Sequence, residues 1–250
     1  MNISDILLGA AIIIAAPAVN RVGEAKAQQI HPDQVVVDSP FVHDPVLAYE
    51  NGKYYLYSTG HGISQMTSAD RKHWTLCREG VLKNHEIPAW THDSVPGFHT
   101  HIWAPDVIHY RNKWYLAYSC STFGKNTSAI GLLSNTSLAN MNGWKDEGCI
   151  LASEGKRDNW NAIDPNFVID DKGNPWMTWG SFWDGIQLVK LDKKTMHVKK
   201  GAKPQTIARR HAFGDASAEP NPTSKFAGAN AIEAPFIMKH GGYYYLFVSW

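Results

Sequence analysis

Three carboxylates occur beside prolines that recur along this 250-residue sequence: Asp44 in "HDP", Asp164 in "IDP" and Glu233 in "EAP". The prolines of the series are spaced by 60, 60 and 70 residues and are Pro45, Pro105, Pro165 and Pro235. Carboxylates that are held close together repel, so one of them keeps a proton near neutral pH while its neighbours ionise. Such a group supplies the acid and the base that glycoside hydrolysis requires. Metal binding by the three acids is the chemical alternative.

The proline repeats differ in the residues that could perform chemistry. Asp44 and Asp164 directly precede their prolines, whereas alanine fills this slot in "WAP" and "EAP". Glu233 lies one residue earlier, in the slot that Trp103 occupies in "WAP" and His43 in "HDP". A repeat kept only for structure would agree in all copies, so this differentiation indicates an active site. Because a shift of one residue turns a strand side chain to the other face, either a bulge corrects Glu233, or "NAIDPNF" and "NAIEAPF" give the true register.

Strand–turn–strand patterns beside the prolines are expected to position these residues. Each has Gly, Asn or Asp between runs of β-branched and aromatic residues, and they cover 46–59, 107–119, 167–181 and 236–250. Further short strand patterns occur at 63–76, 128–138 and 186–196. About four strands per repeat predict an all-β fold, a β-propeller whose innermost strands start around one mouth of a central channel. The fourth repeat has only its first hairpin, so we expect a propeller that is truncated after the start of its fourth blade.

The composition is compatible with carbohydrate binding and argues against several other classes. Lys and Arg total 24 and Asp and Glu total 23, so there is no basic surface to suggest nucleic acid. The 10 Trp, 10 Tyr and 9 Phe suit short strands and also stacking on sugar rings. Cys77, Cys120 and Cys149 are widely spaced and odd in number, which predicts buried thiols and neither a disulfide framework nor a zinc site.

The N-terminus has the pattern of a secretory signal. Residues 6–19 are an apolar run that is short for a membrane span, and "AKA" follows at 25–27. The predicted organisation is a signal peptide at 1–27 and a catalytic β-propeller domain at 31–250, secreted or periplasmic and free of the membrane after cleavage. An uncleaved anchor is the alternative, because the first five residues carry Asp5 and no Lys or Arg.

Five motifs in order, "HDP", "WAPDV", "NAIDPNF", "WGSFWDGI" and "IEAPFI", resemble those of family-43 glycoside hydrolases, and most of all the endo-acting α-1,5-L-arabinanases. The resemblance covers about residues 41–250. It implies a five-bladed β-propeller and an inverting mechanism. It also implies that Asp44 is the general base, that Glu233 is the protonated general acid, and that an ionised Asp164 tunes the pKa of the acid and orients it.

The resemblance and the shared register also suggest residues that bind substrate. They are His43, Trp103, Asn161, Ser181, Phe182 and Trp183. Trp103 is expected to stack on an arabinosyl ring and His43 to hydrogen-bond the substrate or the base, although core packing is an alternative for Trp103. Asn161 and Ser181 could equally pair with backbone groups. Phe182 and Trp183 are expected at the rim of the groove.

Metal chemistry has a small place in this interpretation. His99 and His101 have the spacing of two ligands on one strand face, but a third partner is not evident, so zinc is disfavoured. The resemblance implies one axial calcium ion in the full-length protein, held by a histidine of the fifth blade. We therefore assign no metal ligand within this sequence and expect no cofactor in the acid–base chemistry.

The function predicted from this resemblance is endo-acting hydrolysis of α-1,5-L-arabinan. The alternatives are an exo-acting α-L-arabinofuranosidase or β-xylosidase of the same family and, further away, a non-catalytic sugar-binding propeller. Fructan hydrolases are disfavoured because the "NDPNG" opening is absent and "DPN" occurs in the third repeat. The expected partner is arabinan or an arabino-oligosaccharide, bound by a monomer, with no nucleic acid.

Overall fold

The computed structural model describes residues 34–210 and 231–250 of the chain. Within these ranges it has sixteen β-strands, one 3-10 turn at Lys83–His85 and one short helix, α1, at Thr91–Ser94. The all-β prediction is confirmed. The predicted signal peptide lies outside the described residues. In the described ranges, no helix has the length and apolar character needed to cross a membrane.

The first sheet is built around the hairpin that follows Pro45. Its five antiparallel strands lie in the order β2–β3–β5–β6–β1. They are β1 (Gln34–Val37), β2 (Val46–Glu50), β3 (Lys53–Ser58), β5 (Ser64–Ser68) and β6 (Trp74–Cys77). Asn51 and Gly52 join β2 to β3 with φ values of 50° and 82°. Two residues of positive φ give a turn whose twist matches that of the strands, which explains why "NG" marks this hairpin.

The second sheet also has five antiparallel strands, in the order β4–β7–β8–β9–β10. They are β4 (Gly60–His61), β7 (His101–Tyr110), β8 (Lys113–Cys120), β9 (Ser128–Asn135) and β10 (Lys145–Ser153). The short β4 directly follows the first hairpin of the first sheet and pairs with β7, so the chain contacts the edge of the second sheet here before β5 returns it to the first. The site residues near Thr59 therefore lie between two sheets.

The third and fourth sheets are smaller in the described residues. The third has the order β11–β12–β13–β14 and the fourth is a single hairpin, β15–β16. Their strands are β11 (Asn166–Ile169), β12 (Pro175–Trp179), β13 (Ile186–Lys190), β14 (Gln205–Ala208), β15 (Glu233–His240) and β16 (Tyr243–Ser249). All four hairpins predicted beside the prolines are present.

The core lies between consecutive sheets. On β8, Leu116 and Tyr118 pack with Tyr57 of the first sheet, whereas Tyr115 and Ala117 face the third sheet. This alternation follows from the period of two along a strand, and it buries the second sheet on both faces. Full burial of one Leu contributes about 1.5–3 kcal/mol. The first strands of successive sheets are also in contact, β2 with β7, β7 with β11, and β11 with β15.

The three cysteines only partly match the prediction of buried thiols. Cys120 is buried, but Cys77 and Cys149 are half-buried. The difference follows from their strands. Cys120 lies on the central strand β8, whereas Cys77 and Cys149 lie on β6 and β10, nearer the outer edges of their sheets.

Candidate active site

The residue before each repeated proline adopts the same unusual backbone conformation. Asp44, Ala104, Asp164 and Ala234 have φ values of 49°, 41°, 57° and 51°. A positive φ is costly for a residue with a Cβ, and Asp is among the side chains that tolerate it best. The four slots are thus structurally equivalent, and a backbone requirement accounts in part for aspartate in two of them.

The position of Glu233 is explained by a β-bulge. Glu233 pairs with Ser249 across the fourth sheet, and the register shifts between Glu233 and Phe236. Trp103 pairs with Ser119 in the same way, with a shift before Asp106. The proline alignment is therefore correct, and the alternative "NAI" register is wrong. Glu233 occupies the same slot as Trp103, and the extra residue of the bulge compensates for the shift of one position, which would otherwise turn its side chain to the opposite face of the strand.

Asp44 is held by two hydrogen bonds to one of its carboxylate oxygens. Thr59 Oγ1 and His43 Nδ1 both lie 2.6 Å from Asp44 Oδ2. Neither bond uses Oδ1. The side chain of His43 is 76% exposed, so this histidine also reaches the solvent side of the site. Of the two partners predicted for His43, the substrate or Asp44, the structure shows the hydrogen bond to Asp44.

Asp164 connects the second, third and fourth sheets. Its backbone N–H donates to Ser119 Oγ at 3.0 Å, and its Oδ2 accepts from the backbone N–H of Ala234 at 3.1 Å. Burial raises the pKa of Asp164 to about 7, and the negative charges of Glu233 and Asp44 act in the same direction. The expectation that Asp164 is ionised is therefore wrong below about pH 7, because desolvation and two nearby carboxylates favour its neutral form.

Glu233 lies against the loop that follows β12. Ser181 Oγ donates to Glu233 Oε2 at 2.9 Å, and the backbone N–H of Phe182 donates to the carbonyl of Ile232 at 2.9 Å. Together with the charge coupling at Asp164, these contacts bring all three acids into one site at the starts of the first strands. The site is thus assembled from three sheets.

Trp103 and a group of histidines flank the acids. Trp103 is half-buried, and its Nε1 donates to His101 Nδ1 at 3.1 Å. The ring of His61 lies 5.2 Å from that of His101 and 6.2 Å from that of His85. Burial lowers the pKa of His101, and the nearby His61 and His43 add to this effect. A neutral His101 can accept from the indole, so this contact orients Trp103.

Three of the predicted substrate-binding residues are enclosed by protein. Asn161 is 3% exposed and accepts a hydrogen bond from Ser128 Oγ at 2.7 Å. Trp183 is 3% exposed, which corrects its predicted place at a groove rim: the chain turns it inward at φ 40°. Ser181 is 4% exposed and contacts Glu233. These contacts support the acids and their loops, whereas His43, Trp103 and the half-buried Phe182 keep access to solvent.

Thr59 and Ser119 are site residues that were missed in the sequence. Both occur at the end of a hairpin, in "YST" and "AYS", and both accept from a backbone N–H in the proline slot of the next sheet, Ala104 at 2.8 Å and Asp164 at 3.0 Å. A hydroxyl recurring at this place in the repeat was the available signal.

The described residues contain no evident set of metal ligands. Across residues 34–210 and 231–250, no group of three or more His, Cys, Asp or Glu side chains is arranged to hold a metal ion. The axial calcium implied for the full-length protein stays a prediction.

Comparison with known proteins identifies the family. The model of the family described as "Glycosyl hydrolases family 43" matches residues 34–250. An extracellular exo-α-(1→5)-L-arabinofuranosidase of Cellvibrio japonicus is 41% identical over 212 residues, covering 84% of this chain and 58% of that protein. An extracellular endo-α-(1→5)-L-arabinanase of Bacillus subtilis is also 41% identical over 212 residues, covering 83% of this chain and 59% of that protein.

A solved structure agrees with the sequence relatives. The exo-1,5-α-L-arabinanase from a bovine ruminal metagenomic library superposes with a TM-score of 0.74 at 52% identity, over 85% of this chain and 66% of that one. The chain thus spans less than two thirds of the length of these proteins. Because the family model covers all of the described residues and the acids of the quoted motifs meet in one site, the chain belongs to glycosyl hydrolases family 43.

Proposed function

We propose that the protein hydrolyses α-1,5-linked L-arabinan by an inverting single displacement. The observation that carries the proposal is the convergence of Asp44, Asp164 and Glu233: Asp164 Oδ2 accepts from the backbone N–H of Ala234, the residue after Glu233, and the charges of Glu233 and Asp44 both raise the pKa of Asp164. A non-catalytic sugar-binding protein has no need to bring three carboxylates together, since the repulsion between them costs stability.

Asp44 is proposed as the general base. Its Oδ2 is occupied by Thr59 and His43, so Oδ1 is the oxygen that accepts the proton of the attacking water. As the water oxygen forms its bond to the anomeric carbon, the bond from that carbon to the leaving oxygen breaks. An inverting pair requires about 6.5–9.5 Å between base and acid, to leave room for the water.

Glu233 is proposed as the general acid that protonates the leaving oxygen. Ser181 holds its Oε2, and Asp164 lies beside it, tied to the next residue of the same strand. An ionised Asp164 would disfavour loss of the proton from Glu233, and its raised pKa makes this influence dependent on pH near neutrality. Trp103 is proposed as a stacking surface for an arabinosyl ring.

We also propose that the four sheets are successive blades of a five-bladed propeller. The support is the order of contacts between first strands, β2 to β7 to β11 to β15, with the candidate site at their starts. Secretion is proposed from the N-terminal pattern and from the extracellular location of both relatives. We also propose that the protein is a monomer and that it binds one axial calcium ion.

The endo-acting mode is preferred on the motif resemblance, and an exo-acting mode is the second candidate. One relative and one solved structure are exo-acting by name, while the relative from Bacillus subtilis is an endo-acting arabinanase. Product analysis separates them. An endo-acting protein releases a range of oligosaccharides from linear arabinan and lowers its viscosity early, whereas an exo-acting one releases a single product from chain ends.

The decisive experiment measures release of reducing sugar from linear arabinan by the full-length protein and its variants. Glu233→Ala should lose activity on arabinan and recover part of it on an arabinoside with a good leaving group, which needs little protonation. Asp44→Ala should not recover in this way. Binding of arabinan without any cleavage by the wild type would contradict the proposed function.

A further inference from the structure

Thr59 lies directly after β3, at the junction of the first and second sheets, and is half-buried. Its Oγ1 is 2.8 Å from the backbone N of Ala104 and 2.6 Å from Asp44 Oδ2. A backbone N–H can only donate, so the hydroxyl accepts from Ala104. The one hydrogen of the hydroxyl is then left for Asp44. The direction of both hydrogen bonds is thus determined by the chemistry of the partners.

The hydrogen bond from Thr59 has two consequences for Asp44. A donor favours the ionised form of a carboxylate, which is the form that a base needs. A second donor, His43 Nδ1, lies on the same oxygen at 2.6 Å. Because both donors lie on Oδ2, rotation of the carboxylate is restricted, and Oδ1 keeps one orientation.

Ala104 gives the arrangement its rigidity. It occupies the proline slot of the second sheet with φ at 41°, and its N–H fixes the direction in which the Thr59 hydroxyl points. The equivalent contact one sheet later, from Asp164 N–H to Ser119 Oγ at 3.0 Å, joins a hydroxyl to the backbone of an acid. Of these two hydroxyls, Thr59 is therefore the one that also donates a hydrogen bond to the proposed base, Asp44.

We propose that Thr59 is a positioning residue for the reaction: it donates a hydrogen bond to the Asp44 carboxylate and aims Oδ1 at the attacking water. The inference rests on the proposed function, because it assigns Asp44 the role of base. It goes further in naming a residue outside the family motifs and in making the second sheet, through Ala104, part of the support of the base.

The test compares Thr59→Val, which keeps the shape but loses the hydroxyl, with Thr59→Ser, which keeps the hydroxyl. In Thr59→Val of the full-length protein, the acidic limb of the kcat/KM profile on arabinan should move up by about one pH unit, the effect of one hydrogen bond to a charged group. At pH values below the wild-type midpoint kcat should fall by up to about tenfold, with a smaller change in KM. Thr59→Ser should restore the wild-type limb.

A structural role alone would give a different result. Tyr110→Phe removes a hydrogen bond between the second and third sheets that involves none of the acids, from Tyr110 Oη to the carbonyl of Gly173 at 2.9 Å, and should lower the melting temperature without moving the acidic limb. If the limb of a folded Thr59→Val stays at the wild-type pH, or if Thr59→Ser moves it as far as Thr59→Val does, the inference is overturned.

A second readout separates this inference from the proposed function. The carboxyl carbon of Asp44 is followed by ¹³C NMR against pH, with Asp44→Asn for assignment, and this measurement needs no activity. A titration midpoint that rises by about one pH unit in Thr59→Val supports the inference, even if the wild type fails to cleave arabinan and the proposed function is lost. An unchanged midpoint in an active protein overturns the inference alone.

Discussion

Asp164 Oδ2 accepts a hydrogen bond from the backbone N–H of Ala234 at 3.1 Å, so the acid of the third sheet is tied to the residue that follows Glu233. This bond favours the ionised form of Asp164. Burial opposes it and prevails, with help from the charges of Glu233 and Asp44, and the pKa rises to about 7. Asp164 therefore changes its charge near neutral pH while it is held beside the proposed acid.

Replacing Asp164 by asparagine should change the pH dependence of activity. Asp164→Asn keeps the shape and an acceptor for Ala234 but removes a negative charge beside Glu233. The proton of Glu233 is then held less strongly, so the basic limb of the kcat/KM profile should move down by about one pH unit, with up to about a tenfold loss of activity above the wild-type limb. The measurement is the rate of arabinan cleavage between pH 4 and 9. A profile that is lower at every pH but keeps its limbs would contradict this coupling.

The same substitution should change how stability depends on pH. The pKa of Asp164 is raised from 3.8 to about 7 in the folded state, so its contribution to stability is complete below pH 3.8 and is lost as the pH rises through 7. Asp164→Asn lacks this loss. Relative to wild type, it should gain about 1–2 kcal/mol of unfolding free energy between pH 4 and 8, less than a fully buried acid would give. Urea unfolding at both pH values checks this, and a difference that is constant with pH would argue against it.

Much of the fold could be predicted from local chemistry. Turns such as Asn51-Gly52 require positive φ, which few residue types adopt at low cost, so the hairpins are visible in the sequence. The prolines mark the first strands for a similar reason, because proline fits the start of a strand or a bulge: Pro45 and Pro165 directly precede β2 and β11, whereas Pro105 and Pro235 lie at the bulges of β7 and β15. These signals need no knowledge of distant neighbours, and the four hairpins were correctly predicted for that reason.

The details of the site depend on distant neighbours and could not be predicted. The place of Glu233 depends on a bulge in the ladder between β15 and β16, which sequence spacing does not reveal. Asn161 has the residue type of a sugar ligand, but Ser128, from another strand, accounts for its carbonyl oxygen. The protonation of Asp164 depends on burial and on charges from two other sheets. Each of these is a property of the assembled sheets.

Replacement of Ala104 by glycine should increase the stability of the protein. The φ of 41° at Ala104 is costly for a residue with a Cβ, whereas glycine adopts it freely and keeps the N–H that donates to Thr59. Ala104→Gly should therefore raise the unfolding free energy by about 0.5–1 kcal/mol. The matched control is Ala117→Gly on β8, where φ is not positive, which should lower stability by about 0.5–1 kcal/mol or more. If both substitutions lower the melting temperature equally, the slot is not strained.

Glu50 joins the first hairpin to the second sheet. Its Oε1 accepts from Trp114 Nε1 at 2.7 Å, and its Oε2 accepts from Ser137 Oγ at 2.7 Å and the Leu138 N–H at 2.8 Å. Burial by itself would raise the pKa of Glu50, but the hydrogen bonds, with those from Ser137 and Trp114 foremost, outweigh burial and lower it. The carboxylate is thus stabilised in its ionised form by partners from β8 and from the segment after β9.

Removal of Glu50 should cost stability in a pH-dependent way. Because the folded pKa is lowered from 4.5, its contribution is present above pH 4.5 and is lost as the pH falls through the lower folded value. Glu50→Ala should lose about 2–3 kcal/mol at pH 7, since it leaves buried donors without an acceptor, and distinctly less at pH 3. The loss of unfolding free energy for Glu50→Gln should lie between zero and that for Glu50→Ala.

The exposed Glu79→Ala serves as control and should stay within about 0.5 kcal/mol of wild type. Urea unfolding of the variants at both pH values provides the measurement, and equal losses for Glu50→Ala at pH 3 and 7 would show that packing, not the charge, accounts for its role.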